Sequence, residues 1–114
     1  MSLKTTTATK YAEVALPLPM RQVFTYRLPH RFAEVTKVGA RVIVPFGSRN
    51  LTGYVTAIND SFTPANDFDQ TKLRDIIQLL DTEPFLTPEI LRLTRWSADY
   101  YAASWGEMLK SSLP

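Results

Sequence analysis

The stretch Gly39-Ala40-Arg41-Val42-Ile43-Val44-Pro45-Phe46-Gly47 contains a glycine turn, a run of β-branched residues and a Pro-Phe-Gly stop. β-branched side chains favour strands, whereas glycine and proline mark strand ends. Val42, Val44 and Phe46 fall on one side of such a strand, and the residues between them fall on the other. The stretch therefore predicts a strand with one buried face.

Two upstream segments show the same alternation. Residues 11–16 alternate weakly and end before a proline, which cannot donate to a strand ladder. Residues 23–28 place Phe24, Tyr26 and Leu28 on one face. Because Tyr26 shares its face with Leu28, we expect it to fill the core, and the same pattern would also bury Phe24.

Downstream segments complete a five-stranded pattern. Residues 51–58 follow a Gly-Ser-Arg-Asn connection, which predicts a hairpin, and Gly53 within them indicates a bulge or a bend. Residues 59–71 are rich in loop-forming residues. Residues 73–81 favour a fifth strand, although one helical turn also fits. Five short strands predict a small OB-like barrel.

The end of the chain predicts two short α-helices. Thr87 and Pro88 have the residue types of an N-cap and a first helical position, and Ser104 with Glu107 fits a capping box at a second helix. Spacings of three and four predict one buried face in the first helix. That face comprises Ile90, Leu93, Trp96 and Tyr100. Tyr101 and Trp105 could instead pack against the rest of a longer protein.

The predicted fold class is therefore mainly β with C-terminal helices. We divide the chain into a disordered leader over residues 1–10, an OB-like barrel over 11–83 and a helical extension over 84–114. The leader has the look of an expression start, and the abrupt end after a helical pattern suggests a piece of a longer protein.

The charge is balanced overall but unevenly distributed. The chain has 13 basic and 11 acidic residues. Between Arg21 and Ile58 there are six basic residues and one acidic residue, whereas residues 59–84 hold six acidic and two basic residues. From Tyr11 onward the chain has 11 basic and 11 acidic residues, and a neutral body is not a bulk ligand for nucleic acid, so the basic first half is either a local binding face or an ordinary solvated surface.

Catalytic signatures are missing from the sequence. There is no phosphate-binding P-loop, no cysteine, and only one histidine, His30, which we expect to lie exposed in a turn. Asp81 and Glu83 flank an element boundary and are interpreted as turn and cap residues. With 45% hydrophobic and 21% charged residues, the composition is that of a globular domain. These features predict a binding domain without enzymatic activity, metal or cofactor.

The order of the short motifs resembles the N-terminal DNA-binding domain of the PriA family of primosomal replication-restart helicases. The motifs are Ala15-Leu16-Pro17-Leu18-Pro19, Val23-Phe24-Thr25-Tyr26-Arg27-Leu28-Pro29, the stretch quoted first, and Gly53-Tyr54-Val55. The resemblance implies a cytoplasmic bacterial protein whose parent is an ATP-dependent 3′-to-5′ DNA helicase. ATP, magnesium and zinc would bind only outside this chain. The implied partners are forked DNA with a free 3′-hydroxyl end, single-stranded-DNA-binding protein and other primosome proteins.

The resemblance also implies a pocket for the 3′-terminal nucleotide of a nascent strand. Carried over onto this sequence, its residues are Phe24, Thr25, Gly47 and Arg74. The family often has aspartate in place of Thr25 and lysine in place of Arg74, and a slip across the preceding loop would substitute Lys72. Candidate contacts to the DNA backbone are Arg27, Arg41, Arg49 and Lys72.

Two alternatives remain open from the residues alone. Strand aromatics interleaved with arginines are typical of a general single-stranded-DNA-binding surface, which would ignore the chemistry of the strand end. The balanced net charge instead favours a protein-interaction barrel without a nucleic-acid role.

Overall fold

A computed structural model describes residues 10–19, 22–61, 73–84, 86–101 and 103–112. Its strands are β1 (Lys10–Ala15), β2 (Phe24–Leu28), β3 (Arg41–Phe46), β4 (Arg49–Asn59) and β5 (Gln78–Leu79). Its helices are α1 (His30–Ala33), α2 (Pro88–Tyr100) and α3 (Trp105–Ser112). The predicted leader lies outside the described residues, apart from Lys10, which begins β1.

The strands form one five-stranded sheet in the order β2-β1-β4-β3-β5, with antiparallel pairing between neighbours. The predicted hairpin joins β3 to β4, and its register pairs Phe46 with Arg49. The connection is therefore the two residues Gly47 and Ser48, shorter than the sequence suggested. Gly47 has φ of +60°, a conformation that suits glycine in so tight a turn.

The fifth strand is shorter than the predicted 73–81 because this segment serves both edges of the sheet. Arg27 of β2 pairs with Asp75 in a parallel bridge. The Arg27 N–H donates to the Arg74 carbonyl at 2.9 Å, and the Ile76 N–H donates to the Arg27 carbonyl at 3.0 Å. Three residues later, Gln78 pairs with Ile43 of β3. Residues 74–79 thus connect β2, at one edge of the sheet, with β3, next to the other edge, and the OB-like barrel remains a prediction.

The irregularity expected at Gly53 lies instead at Thr56. The pairing of β1 with β4 passes from Glu13↔Ala57 to Val14↔Val55, so Thr56 is the extra residue. Gly53 pairs regularly with β3, and a Cβ there would lie 2.3 Å from Cγ1 of Val14. Close packing against β1, not a bulge, is therefore what requires a glycine at this position.

The inward faces of the strands form the main core as the alternation predicts. Val14, Leu28, Val42, Val44 and Val55 are fully buried. Tyr26 is also in the core, 5% exposed, and its hydroxyl donates to the Pro45 carbonyl at 2.8 Å. The interpretation of Tyr26 as a core residue is confirmed.

Both predicted helix starts are confirmed by their capping bonds. The Thr87 hydroxyl accepts from the Ile90 N–H at 3.1 Å, and the Ser104 hydroxyl accepts from the Glu107 N–H at 3.2 Å. The short helix α1 was not predicted, because four residues are too few to show a helical period. His30 begins this helix and is exposed.

The predicted buried face of α2 is confirmed only at Ile90, which is half-buried and packs on an apolar cluster, and is wrong at the other three residues. Leu93, Trp96 and Tyr100 are 63%, 61% and 69% exposed, and the helix buries Leu91, Thr94 and Ala98 instead. Leu91 and Ala98 on that side pack with Trp105 and Leu109 of α3, and Thr94 accepts from Nε1 of Trp105 at 3.0 Å. Trp105, 8% exposed, thereby joins α3 to the side of α2 that carries fewer large apolar residues.

The helices pack on the sheet through a second core. It joins Ala15 and Tyr54 of the sheet to Leu91, Trp105 and Leu109 of the helices. Within described helices, no segment is long and apolar enough to cross a membrane.

Candidate DNA-binding site

Gly47 and Arg74, two of the predicted pocket residues, are in direct contact. The Arg74 guanidinium donates from NH1 to the Gly47 carbonyl at 3.0 Å, across 27 positions of sequence. Gly47 is exposed at the tip of the β3–β4 hairpin, and a Cβ built on it would meet nothing within 4 Å. A cation and an open, accessible stretch of backbone therefore lie side by side.

Phe24 forms an apolar wall next to this contact. Its ring meets the Phe46 ring edge-on, with centroids 5.2 Å apart and planes at 75°. Phe46 is the residue before Gly47, so the aromatic pair adjoins the hairpin tip. Both rings are half-buried and pack on the main core, so the core placement that the alternation predicts for Phe24 holds in part.

Thr25 is placed differently from the other three residues. Successive side chains of a strand point to opposite faces, so the Thr25 hydroxyl lies on the face opposite Phe24. There it is paired across the sheet with Glu13 of β1. The structure brings Gly47 and Arg74 into contact and places Phe24 against Phe46, the residue before Gly47, whereas the Thr25 side chain lies on the opposite face of β2.

The arginines predicted to contact the DNA backbone differ in whether they are already paired with a carboxylate. Nε of Arg27 donates to Asp75 at 2.6 Å, and Arg41 donates twice to Asp81 at 2.9 Å. Arg49 is exposed and follows the hairpin tip directly. Lys72 lies outside the described residues. Arg49 is therefore the member of this group best placed to extend the Gly47–Arg74 contact.

Comparisons with known proteins assign this arrangement to a family. The family model of the PriA 3′DNA-binding domain (3′BD) matches residues 13–114. The chain belongs to the PriA 3′DNA-binding domain family. It is 34% identical over 102 residues to the replication restart protein PriA of Buchnera aphidicola (strain APS), covering 90% of this chain and 13% of that protein.

Two further PriA proteins show the same relation. The identity is 33% over 107 residues with the Bacillus subtilis protein, covering 91% of this chain and 13% of that protein. It is 34% over 105 residues with the Haemophilus influenzae protein, covering 92% and 14%. The chain thus spans about one-seventh of the length of these relatives and corresponds to their DNA-binding domain.

Two ion pairs near the sheet edge were not predicted from the sequence. Asp81 and Glu83, interpreted as turn and cap residues, pair with Arg41 and with Lys37 at 2.9 and 3.3 Å. Asp81 also accepts from the Arg41 backbone N–H at 3.1 Å. These hydrogen bonds and the positive charge of Arg41 lower the pKa of Asp81.

The Tyr26 phenol interacts electrostatically with Arg74. Burial raises the pKa of the Tyr26 phenol, and the positive charge of nearby Arg74 opposes this rise. Arg74 thus lies near the Tyr26 side chain as well as near the hairpin tip.

Two residues near the site were not singled out as site residues from the sequence. Phe46 was considered only as a core or strand aromatic, although its position before Gly47 could have indicated contact with the pocket. Asp75 pairs with Arg27 across 48 positions, and nothing in a single sequence signals such a contact. In the described part of the chain, no cluster of three or more acidic, histidine or cysteine residues could hold a metal ion.

Removing the Asp81 charge should destabilise the domain in a pH-dependent way. Because the folded-state pKa of Asp81 is below its unfolded value, the stabilisation is complete above the unfolded pKa and is lost as the pH falls through the folded pKa. We expect Asp81→Asn to lower the free energy of unfolding by about 1 kcal/mol at neutral pH. Urea unfolding at pH 7 and pH 3 should show that the difference becomes smaller at the lower pH.

Glu83→Gln is the matched control for Asp81→Asn. Glu83 also pairs with a cation, but its side chain is 86% exposed against 16% for Asp81. The control should change the free energy of unfolding by less than about 0.5 kcal/mol. An Asp81→Asn penalty that is equal at both pH values would contradict the assigned role of its charge.

Proposed function

We propose that this chain captures the 3′-terminal nucleotide of a nascent strand at a stalled or collapsed replication fork, without regard to sequence. The observation that carries this proposal is the 3.0 Å contact between Arg74 and the Gly47 carbonyl beside unoccupied space at the hairpin tip. Membership of the PriA 3′DNA-binding domain family supports it.

Each member of the contact has a distinct task in this proposal. The guanidinium of Arg74 has five N–H donors, so it can keep its bond to Gly47 and still donate to a phosphate. Gly47 lets a sugar or base approach the backbone, because no Cβ occupies that space. The aromatic pair Phe24 and Phe46 offers the apolar side of the site. Backbone and apolar contacts of this kind read no base sequence.

The parent protein in this proposal is an ATP-dependent 3′-to-5′ DNA helicase that restarts replication in the bacterial cytoplasm. This chain would orient the motor by holding the strand end. Magnesium and zinc would bind with ATP in the remainder of that protein, and single-stranded-DNA-binding protein with other primosome proteins would be its partners. The relatives are named replication restart proteins, which supports this context.

A circular oligonucleotide, which has no 3′ end, distinguishes this function from general single-strand binding. A linear oligonucleotide with a 3′-hydroxyl should bind, and the same sequence closed into a circle should bind at least about tenfold more weakly. Contact with two or three phosphates predicts a log–log salt slope on the order of −2. Competition titrations monitored by fluorescence anisotropy measure both quantities.

The circular competitor also separates the alternatives. Equal binding of the two forms, with affinity increasing with strand length, would replace end recognition by a general single-strand groove. Absence of binding to either form would favour a protein-interaction barrel.

A further inference from the structure

The edge of β3 that faces β5 presents a row of backbone carbonyls. Carbonyls of successive residues in a strand point to alternate sides, so every second carbonyl of β3 belongs to this row. The Arg41 carbonyl accepts from the Leu80 N–H at 2.9 Å, and the Ile43 carbonyl accepts from the Ile77 N–H at 2.8 Å. Among the described residues, the pairing of β5 with β3 ends at Ile43. Carbonyls farther along this edge therefore need other donors.

Side chains provide those donors towards the hairpin tip. Pro45 is two residues beyond Ile43, so its carbonyl continues the row. It accepts from the Tyr26 hydroxyl at 2.8 Å, in a buried hydrogen bond. Gly47, two residues farther along, accepts from the Arg74 guanidinium at 3.0 Å. The hairpin tip is thus bonded to β2 through Tyr26 and to the segment before β5 through Arg74.

The two side-chain bonds differ in their exposure. Tyr26 is 5% exposed and belongs to the main core, whereas Arg74 is exposed. In the proposed function, the Arg74 guanidinium also donates to a phosphate, so its surroundings change when a strand end binds. Burial shields the Tyr26 hydroxyl from water and from the strand, and it raises the pKa of the phenol, so the donated proton is retained. The Tyr26 bond can therefore hold the tip equally in the free and the bound domain.

We propose that Tyr26 is a positioning residue of the 3′-end site, a role that rests on the proposed function. The Tyr26 hydroxyl holds the Pro45 carbonyl and thereby fixes the distance between the tip at Gly47 and the Arg74 guanidinium. A site for a single nucleotide depends on such placement, since a displacement of about 1 Å loosens its contacts. Tyr26 does not touch the strand, because its side chain is buried.

Tyr26→Phe tests this role, because it removes the hydroxyl and keeps the ring in the core. Competition titrations monitored by fluorescence anisotropy compare a linear strand ending in a 3′-hydroxyl with the same sequence closed into a circle. Tyr26→Phe should bind the linear strand about fivefold more weakly than the wild type does, which is the loss expected for one hydrogen bond. Its affinity for the circular strand should change by less than about twofold.

Tyr54→Phe is the matched control for Tyr26→Phe. Tyr54 is also a buried tyrosine of the sheet, 3% exposed, but it pairs with Arg41, at the end of the β3–β4 hairpin opposite the tip. This control should leave both affinities within about twofold of the wild type. Circular dichroism verifies that each variant is folded. In two-dimensional amide NMR spectra, Tyr26→Phe should shift the signals of Gly47 and Ser48, and Tyr54→Phe should not.

The wild type distinguishes failure of the proposed function from failure of the positioning role. Equal affinity of the wild type for the linear and circular strands would overturn the proposed function and this inference with it. If the wild type prefers the linear strand and Tyr26→Phe keeps the full preference, only the positioning role is overturned. Equal losses of affinity for both strands in Tyr26→Phe would also overturn that role, since a weakened core does not distinguish a strand end.

Discussion

Replacing Gly47 with leucine should weaken binding of a 3′-hydroxyl strand by at least about 100-fold and leave the domain folded. The space beside Gly47 is open, since a Cβ there would meet nothing within 4 Å. A leucine side chain would fill the space that the proposed function assigns to the terminal nucleotide. The change therefore acts on the ligand and not on the core.

Gly47→Leu should lower the free energy of unfolding only through backbone strain. Gly47 has φ of +60°, where a residue with a Cβ is less stable by about 1–2 kcal/mol. Because nothing clashes, no larger loss is expected. Urea unfolding measures this cost, and fluorescence anisotropy with a labelled 3′-ended strand measures binding.

Ser48→Leu is the matched control for Gly47→Leu. Ser48 is the other residue of the hairpin tip and is also exposed, so a leucine there adds the same apolar volume one position away. It should bind within about threefold of the wild type. Gly47→Leu that folds and binds normally would remove Gly47 from the site.

Replacing Gly106 with alanine should destabilise the domain by about 2–3 kcal/mol, against the preference of helices for alanine. Gly106 is the second residue of α3, and helix propensity alone would make alanine about 1 kcal/mol more stable. Packing opposes this, because a Cβ at Gly106 would lie 1.8 Å from the Leu16 carbonyl oxygen and 2.8 Å from the Pro17 nitrogen.

The contact of Gly106 is with backbone, so no side chain can rotate away. The α3 helix would have to retreat from the end of β1, opening the second core around Trp105 and Leu109. Urea unfolding followed by tryptophan fluorescence should report the loss. Lys110→Ala, an exposed change on the same helix, should stay within about 0.5 kcal/mol of the wild type. A Gly106→Ala variant more stable than the wild type would show that α3 does not pack as described.

The local sequence pattern predicted where strands and helices lie better than it predicted which surfaces pack together. Alternation around Val42 and Val44 identified β3 and its buried face, and Thr87 and Ser104 identified both helix starts. The buried face of α2 could not be chosen correctly, because apolar residues recur at helical spacing on two sides. The side that is buried depends on tertiary contacts with α3, namely apolar packing on Trp105 and Leu109 and the bond from Trp105 to Thr94.

Long-range contacts account for most of what the sequence left open in the site. The Arg27–Asp75 and Arg41–Asp81 pairs join residues 48 and 40 positions apart, and no spacing rule relates them. The grouping of Phe24, Gly47 and Arg74 came from the family resemblance and not from pattern. The structure places Gly47 and Arg74 in contact, and their role in DNA binding stays a prediction.

The most direct measurement compares short single strands that differ only at the 3′ terminus. Fluorescence-anisotropy titrations would use one strand ending in a hydroxyl and one ending in a phosphate. If this chain holds the terminal nucleotide, the hydroxyl strand should bind at least about tenfold more tightly, with little dependence on length beyond the last few nucleotides. Equal affinities for the two strands would contradict recognition of the 3′ end.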